Sequence, residues 1–411
     1  MTQAHPTFSR CWRALCALAT IAALATGCGG GTESGVGGGG TGSPLSFSQG
    51  PITGFGSIIV NGVHFDDGSA SVVDDDGNML SNTQALRLGT VVDVQGSAIS
   101  NDVATASAIH VHVDLVGPVT AGYDAATGRI AVLGQPVRVL STTALDGFSG
   151  GAASITAGST VAVSSLVDTA TGVYVATRID PAPNAPRFAI RGVPSAVDTA
   201  AHTFTIGGQV FAYGSLTPQS PFAAGELLRA VLATTQDNHG RWVVSAFGQA
   251  AAALPNGRRG GLQGVVSSTT DATHFVVGGV AVDASHAAIT PAGTSIGVQS
   301  RVEVQGTIVG DVLVATAVEV DAANDGDDDG HGGGTGGNGD NGRFEIDGAI
   351  LGLDVVRQTL TMRGQTTVSY ASATFSGGTV ADLAVGKTIE VRGNLSADGS
   401  QVVATRIKFD H

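Results

Sequence analysis

Apolar residues in this chain recur every second position over short stretches. That is the period of a half-buried β-strand, because successive side chains leave a strand on opposite sides. The clearest case is Leu86-Arg-Leu-Gly89-Thr-Val-Val92-Asp-Val94-Gln-Gly96, where Val92 and Val94 alternate with polar neighbours. The pattern returns about every 70 residues, at Ile155 to Val163, Phe222 to Ala230, Ile296 to Gly306 and Leu383 to Gly393. Gln299 stands in the fourth copy where the others carry Gly89, Gly158, Gly225 and Gly386. A fixed period of this length marks a tandem array.

Each copy sits in a similar setting. Ahead of the first, Ile58-Ile-Val60-Asn61-Gly62-Val63-His-Phe65 places Asn-Gly between two apolar triplets. That dipeptide supplies the two positive φ values of a type I′ hairpin. Gly134-Gln135, Gly207-Gly208, Gly278-Gly279 and Gly364-Gln365 predict the equivalent turns in the other units. The first apolar residue of each copy predicts a short turn or a single helical turn. A further strand closes each unit, as in Ala106 to Val111, Val175 to Ile179 and Val403 to Phe409. Five short strands in about 65 residues are the inventory of a small closed barrel. No unit offers a long amphipathic helix, so the fold class is all-β.

The divisions follow from the punctuation. Residues 1–27 read as a leader, 28–49 as a glycine-rich tether, and 50–114 and 115–182 as the first two repeats. A divergent third repeat takes 183–255 and a fourth 256–322. An Asp/Gly-rich linker at 323–342 precedes the fifth repeat at 343–411 and is expected to set it apart. Pro181-Ala-Pro183-Asn-Ala-Pro186 is a stiff connector. With connectors of this kind, repeats that swing as separate beads are the favoured expectation.

Composition narrows the possibilities. Glycine numbers 61 and aromatics are only 5%, so cores must be built from Val, Ile, Leu and Ala. Without the leader's Arg10 and Arg13, 18 basic residues face 34 acidic ones. Such a surface repels phosphate backbones, which argues against a nucleic-acid partner. Cys11, Cys16 and Cys28 are the three cysteines, so the repeats hold neither a disulfide framework nor a cysteine zinc site. The two leader arginines precede the short apolar run Ala14 to Ala25, which ends in Leu24-Ala-Thr-Gly-Cys28. This resembles a bacterial lipobox, which implies lipidation of Cys28 and membrane attachment through that lipid. The Gly/Ser/Thr run after it suits a tether. By the same resemblance, Gly29 favours the outer membrane, facing the periplasm or the cell surface.

Gly54-Phe-Gly-Ser-Ile-Ile-Val-Asn-Gly-Val-His-Phe65, Val116-Gly-Pro-Val119 and Val175-Ala-Thr-Arg-Ile179 resemble the DUF5666 family. These are tandem β domains of bacterial envelope lipoproteins without an assigned activity. The resemblance spans the first four units and the fifth, and is weakest in the third. The strand inventory and the Gly-x-x-Val-x-Val strand suggest OB-like barrels by analogy.

Candidate chemistry is sparse. Asp325-Gly-Asp327-Asp-Asp329-Gly330 fits the first half of a calcium loop, but Gly336 stands where a bidentate Glu belongs. A solvated acidic linker, with at most weak calcium binding, is the expectation. His110-Val-His112-Val-Asp114 puts two histidines and a carboxylate on one strand face, a spacing that can reach zinc or copper. The same alternation turns Val111 and Val113 toward the core and the histidines into water, which needs no metal. Asp74-Asp-Asp76-Gly-Asn78 reads as an acidic turn tip, and Trp242 and Phe247 as filling of the third barrel. Serine and threonine are abundant but the histidines are scattered, so no catalytic residue is assigned, and no motif requires an organic cofactor. The expected function is a non-enzymatic, lipid-anchored spacer or interaction module of the envelope. The alternative is a periplasmic binding protein for a polysaccharide or a metal ion.

Overall fold

The computed structural model describes residues 45–218, 222–248, 254–321 and 343–409. The leader, Cys28, and Asp325, Asp327 and Asp329 lie outside the described residues. Ser43–His411 forms one compact unit.

Barrel two shows the construction. Its first strand, Leu115–Asp124, pairs antiparallel with Arg129–Val132, which pairs antiparallel with Gln135–Ala144. Gln135–Ala144 runs parallel to the closing strand Val173–Pro181. The closing strand pairs with the motif strand Thr160–Asp168, and that returns to the first strand through Thr160↔Pro118 and Val163↔Leu115. The ring is therefore closed in the order first, second, third, fifth, fourth, first. The other four barrels repeat it, with the first strand broken in barrels one, three and five. The expected array of small OB-like barrels is present. Among the described residues the only α-helical segment is the single turn Asn82–Ala85.

The local signals account for the turns. Asn61 and Gly62 have φ of 50° and 68°, as a type I′ turn requires. In barrel two the turn residues are Leu133 and Gly134, one place earlier than the sequence suggested, because Gln135 already pairs with Val132. The motif glycine is left-handed in every copy, from 78° at Gly89 to 91° at Gly225, and Gln299 adopts 74° in the same place. The backbone shape is thus kept where the residue best suited to it is lost.

Three expectations are overturned. Ser46–Pro51 is the first strand of barrel one, paired with Val91–Gly96, so the tether does not run to residue 49. The barrels do not swing as beads. Ser46–Gln49 pairs in parallel with Arg259–Leu262 of barrel four, and Gly54 and Phe55 with Glu345 and Ile346 of barrel five. Leu115 and Val116 of barrel two pair with Ile190 and Ala189 of barrel three. The linker before it does not set barrel five apart: Phe55, Leu86 and Val92 share one continuous core with Ile346, Met362 and Ile389. Barrels two and three share a second core, and barrel four builds a third around Phe47 of barrel one. Open strand edges and apolar rims explain this, since both gain more from a neighbouring barrel than from water.

Candidate functional site

The polar residues of barrel one that the sequence singles out converge where barrels one, two and three meet. His110 and His112 lie on the closing strand Val103–His112, cross-strand from Asp93 and Val91. Asp75 and Asp76 come from the turn after Ser71–Asp74. Asp114 stands at the junction with barrel two. Barrel three contributes Arg191 from Phe188–Gly192 and Arg229 from Leu228–Gln236.

Val111 packs into the core as alternation requires. The expectation that the histidines face water fails, since the His112 side chain is 1% exposed and Asp75 and Asp93 are 3% exposed. The outer face of that strand is covered by the Asp75 turn and by barrel three. His112 lies between two carboxylates, with Nδ1 2.8 Å from Asp75 Oδ1 and Nε2 2.9 Å from Asp93 Oδ2. His110 Nε2 is 3.4 Å from Asp75 Oδ1. Arg191 Nη2 reaches Asp75 Oδ1 at 2.9 Å and His112 Nδ1 at 2.7 Å. Arg229 Nη1 bonds Asp76 Oδ1 at 2.7 Å, and Arg187 Nη2 bonds Asp76 Oδ2 at 2.7 Å. The Asp74 tip behaves as expected and accepts the Asp76 and Asn78 amides, while the two following aspartates point into barrel three.

Electrostatics follow from this packing. Burial is the largest influence on His112 and, with Arg191, disfavours its charged form, but Asp93 and Asp75 outweigh them and hold its pKa above the ordinary value. Burial would likewise raise Asp75, yet the His112 hydrogen bond and the Arg191 charge bring it well below the usual carboxylate range. For Asp114 burial prevails and its pKa is raised, although Ser165 donates to it from both N and Oγ. His110 is lowered by burial and by its charged neighbour His112. Against the carboxylates of Asp75, Asp76, Asp93 and Asp114 stand the guanidiniums of Arg187, Arg191 and Arg229. His112 lies among them, between Asp75 and Asp93.

Asp75, His110 and His112 offer one oxygen and two nitrogens within 4.8 Å of one another, a grouping able to hold a metal ion. Of these, the sequence pointed to the two histidines. It missed Asp75, Asp93 and the arginines, because each lies on a different strand or barrel. The one available signal was the placing of Arg187, Arg191 and Arg229 in a chain poor in basic residues.

A second polar junction joins barrels one, two and five. Arg178, 1% exposed, donates to Asp146 and Asp180 at 2.9 and 2.6 Å and to the Leu88 carbonyl at 2.9 Å. Arg87 binds the same two aspartates. A cleft of about 340 Å³ opens beside them toward Gln365 and Ser400 of barrel five. Trp242 meets Phe188 edge-on at 5.6 Å, and Phe247 packs with Phe204, Tyr213 and Phe222, so both fill barrel three as expected.

A run of closed five-stranded barrels cemented by buried ion pairs defines the class, an all-β tandem barrel array. The chain belongs to the DUF5666 family, a domain of unknown function, which matches residues 49–110, 116–180, 263–319 and 347–408. The third barrel, whose motif had lost the Val-x-Val-x-Gly ending, falls between two matched segments. No curated protein matches the chain.

Proposed function

We propose that this is a non-enzymatic, lipid-anchored protein of the bacterial cell envelope, and that its barrels act together as a rigid interaction platform. The observation that carries this reading is the backbone pairing between barrels, at Ser46–Gln49 with Arg259–Leu262 and at Gly54–Phe55 with Glu345–Ile346. A flexible spacer needs no such pairing, whereas a platform needs its loops held in fixed relation. Lipid attachment is supported by Gly27-Cys28 after a basic and apolar leader, and by the glycine-rich run that follows.

Two measurements test the reading. Metabolic labelling with a radioactive fatty acid should mark the wild-type chain and leave Cys28→Ala unmarked; equal labelling would remove the anchor. Deleting residues 343–411 should destabilise barrel one, because the two share a core. A barrel one that keeps its full protease resistance after that deletion would return the array to a string of beads. Protease shaving of intact cells, followed by a tag after His411, would then show which side of the outer membrane the platform faces.

A further inference from the structure

Asp75 Oδ1 and His112 Nδ1 lie 2.8 Å apart in hydrogen-bond contact, His110 Nε2 lies 3.4 Å from the same oxygen, and the three ligand atoms are all within 4.8 Å of one another. Imidazole nitrogens and a carboxylate oxygen are the ordinary ligands of zinc and similar divalent ions. Asp93 adds the outer carboxylate that typically orients a metal-bound imidazole, 2.9 Å from the far nitrogen of His112. Yet a cation is already seated there. Arg191 Nη2 lies within 2.9 Å of Asp75 Oδ1 and 2.7 Å of His112 Nδ1, in contact with two of the three donors. A guanidinium does not give up its charge, so Arg191 and a divalent ion exclude one another at this spot. Arg229 reinforces the exclusion, with Nε 3.5 Å from Asp75 Oδ2.

We propose that barrel one carries a divalent-cation site of zinc class, formed by Asp75, His110 and His112, and that barrel three occupies it with Arg191 as a built-in competitor. Metal binding and docking of barrel three are then alternatives, and the junction is a joint that a metal ion opens. This goes beyond the platform reading and does not depend on the lipid anchor.

Isothermal titration of the full chain with zinc chloride tests it, comparing wild type, Arg191→Gln, and Arg191→Gln combined with His112→Ala. Arg191→Gln should bind one zinc ion tighter than wild type by roughly tenfold or more, the scale on which outer groups tune metal affinity. The double variant should lose that gain. The proposal is overturned if Arg191→Gln, with a native circular dichroism spectrum, binds zinc no tighter than wild type. It is equally overturned if the gain survives loss of His112. Arg191→Met, similar in length and uncharged, carries the same comparison if the Gln variant does not fold.

Discussion

Barrels one and five place a polar cross-strand pair at the same point of the same motif. In barrel five it is Glu390 and Lys408, joined at 3.1 Å with the lysine side chain 46% exposed. In barrel one it is Asp93 and His110, with the aspartate 3% exposed. Strand, register and alternation agree, and only the surroundings differ. Barrel three lies over the outer face of barrel one, and the corresponding lysine of barrel five remains in solvent. Hydrophobic periodicity therefore tells which side chains leave their own barrel. It does not tell whether a second barrel is waiting outside.

The comparison can be broken most forcefully at the buried end. Asp75→Ala should cost about 3–5 kcal/mol, since it strands Arg191 and part of Arg229 inside the junction. Urea unfolding followed by tryptophan fluorescence would measure it, because Trp242 lies in barrel three. A loss below about 1 kcal/mol would mean that the network contributes no more than an exposed pair.

The motif glycine sharpens the comparison at the backbone. A Cβ on Gly89 would come 2.3 Å from the Thr177 carbonyl oxygen of barrel two, whereas one on Gly386 of barrel five meets nothing within 4 Å. Both have positive φ, so Gly386→Ala should cost roughly 1 kcal/mol from strain alone. Gly89→Ala should cost about 2–4 kcal/mol, because it also forces barrels one and two apart. Equal losses would show that the junction yields freely.

A pH titration separates the two regions next. The folded pKa of His112 is raised, so its contribution to stability is complete below the free imidazole value of about 6.5 and is lost as pH climbs through the folded value. The thermal unfolding temperature should accordingly fall from about pH 6.5 upward through that interval, and His112→Gln should flatten the slope. An unchanged slope in the variant would place the titrating group elsewhere. The smallest effect belongs to barrel five, where Lys408→Ala should shift stability by no more than about 0.5 kcal/mol.

Much of the fold was legible because its causes are local. Asn61-Gly62 forced the hairpin, the Val92/Val94 alternation gave the motif strand, and repetition at fixed spacing delivered five barrels. The turn at Leu133-Gly134 was misplaced by one residue, since a glycine can take either position of a two-residue turn. The candidate site was legible only in part. His110 and His112 share a strand face and could be paired from spacing, whereas Asp75 joins them through a turn and Arg191 from about 80 positions away. The wrong expectation of free-swinging barrels has the same root. Pro181 to Pro186 and the Asp/Gly run describe how segments are strung together, and the backbone edges that glue Ser46 to Arg259 leave no compositional trace.

The pairing of Ser46–Gln49 with Arg259–Leu262 has a temporal consequence. Among the described residues, the first strand acquires its outer partner only after more than two hundred further residues have been made. The Asp67–Arg363 ion pair closes later still. Barrel one thus reaches its final surroundings only once barrels four and five have been made, and until then it presents a bare strand edge to any chain nearby. Such a molecule matures from its far end backward, and a chaperone that shields the early barrel until barrels four and five arrive would act on the step where misassembly begins.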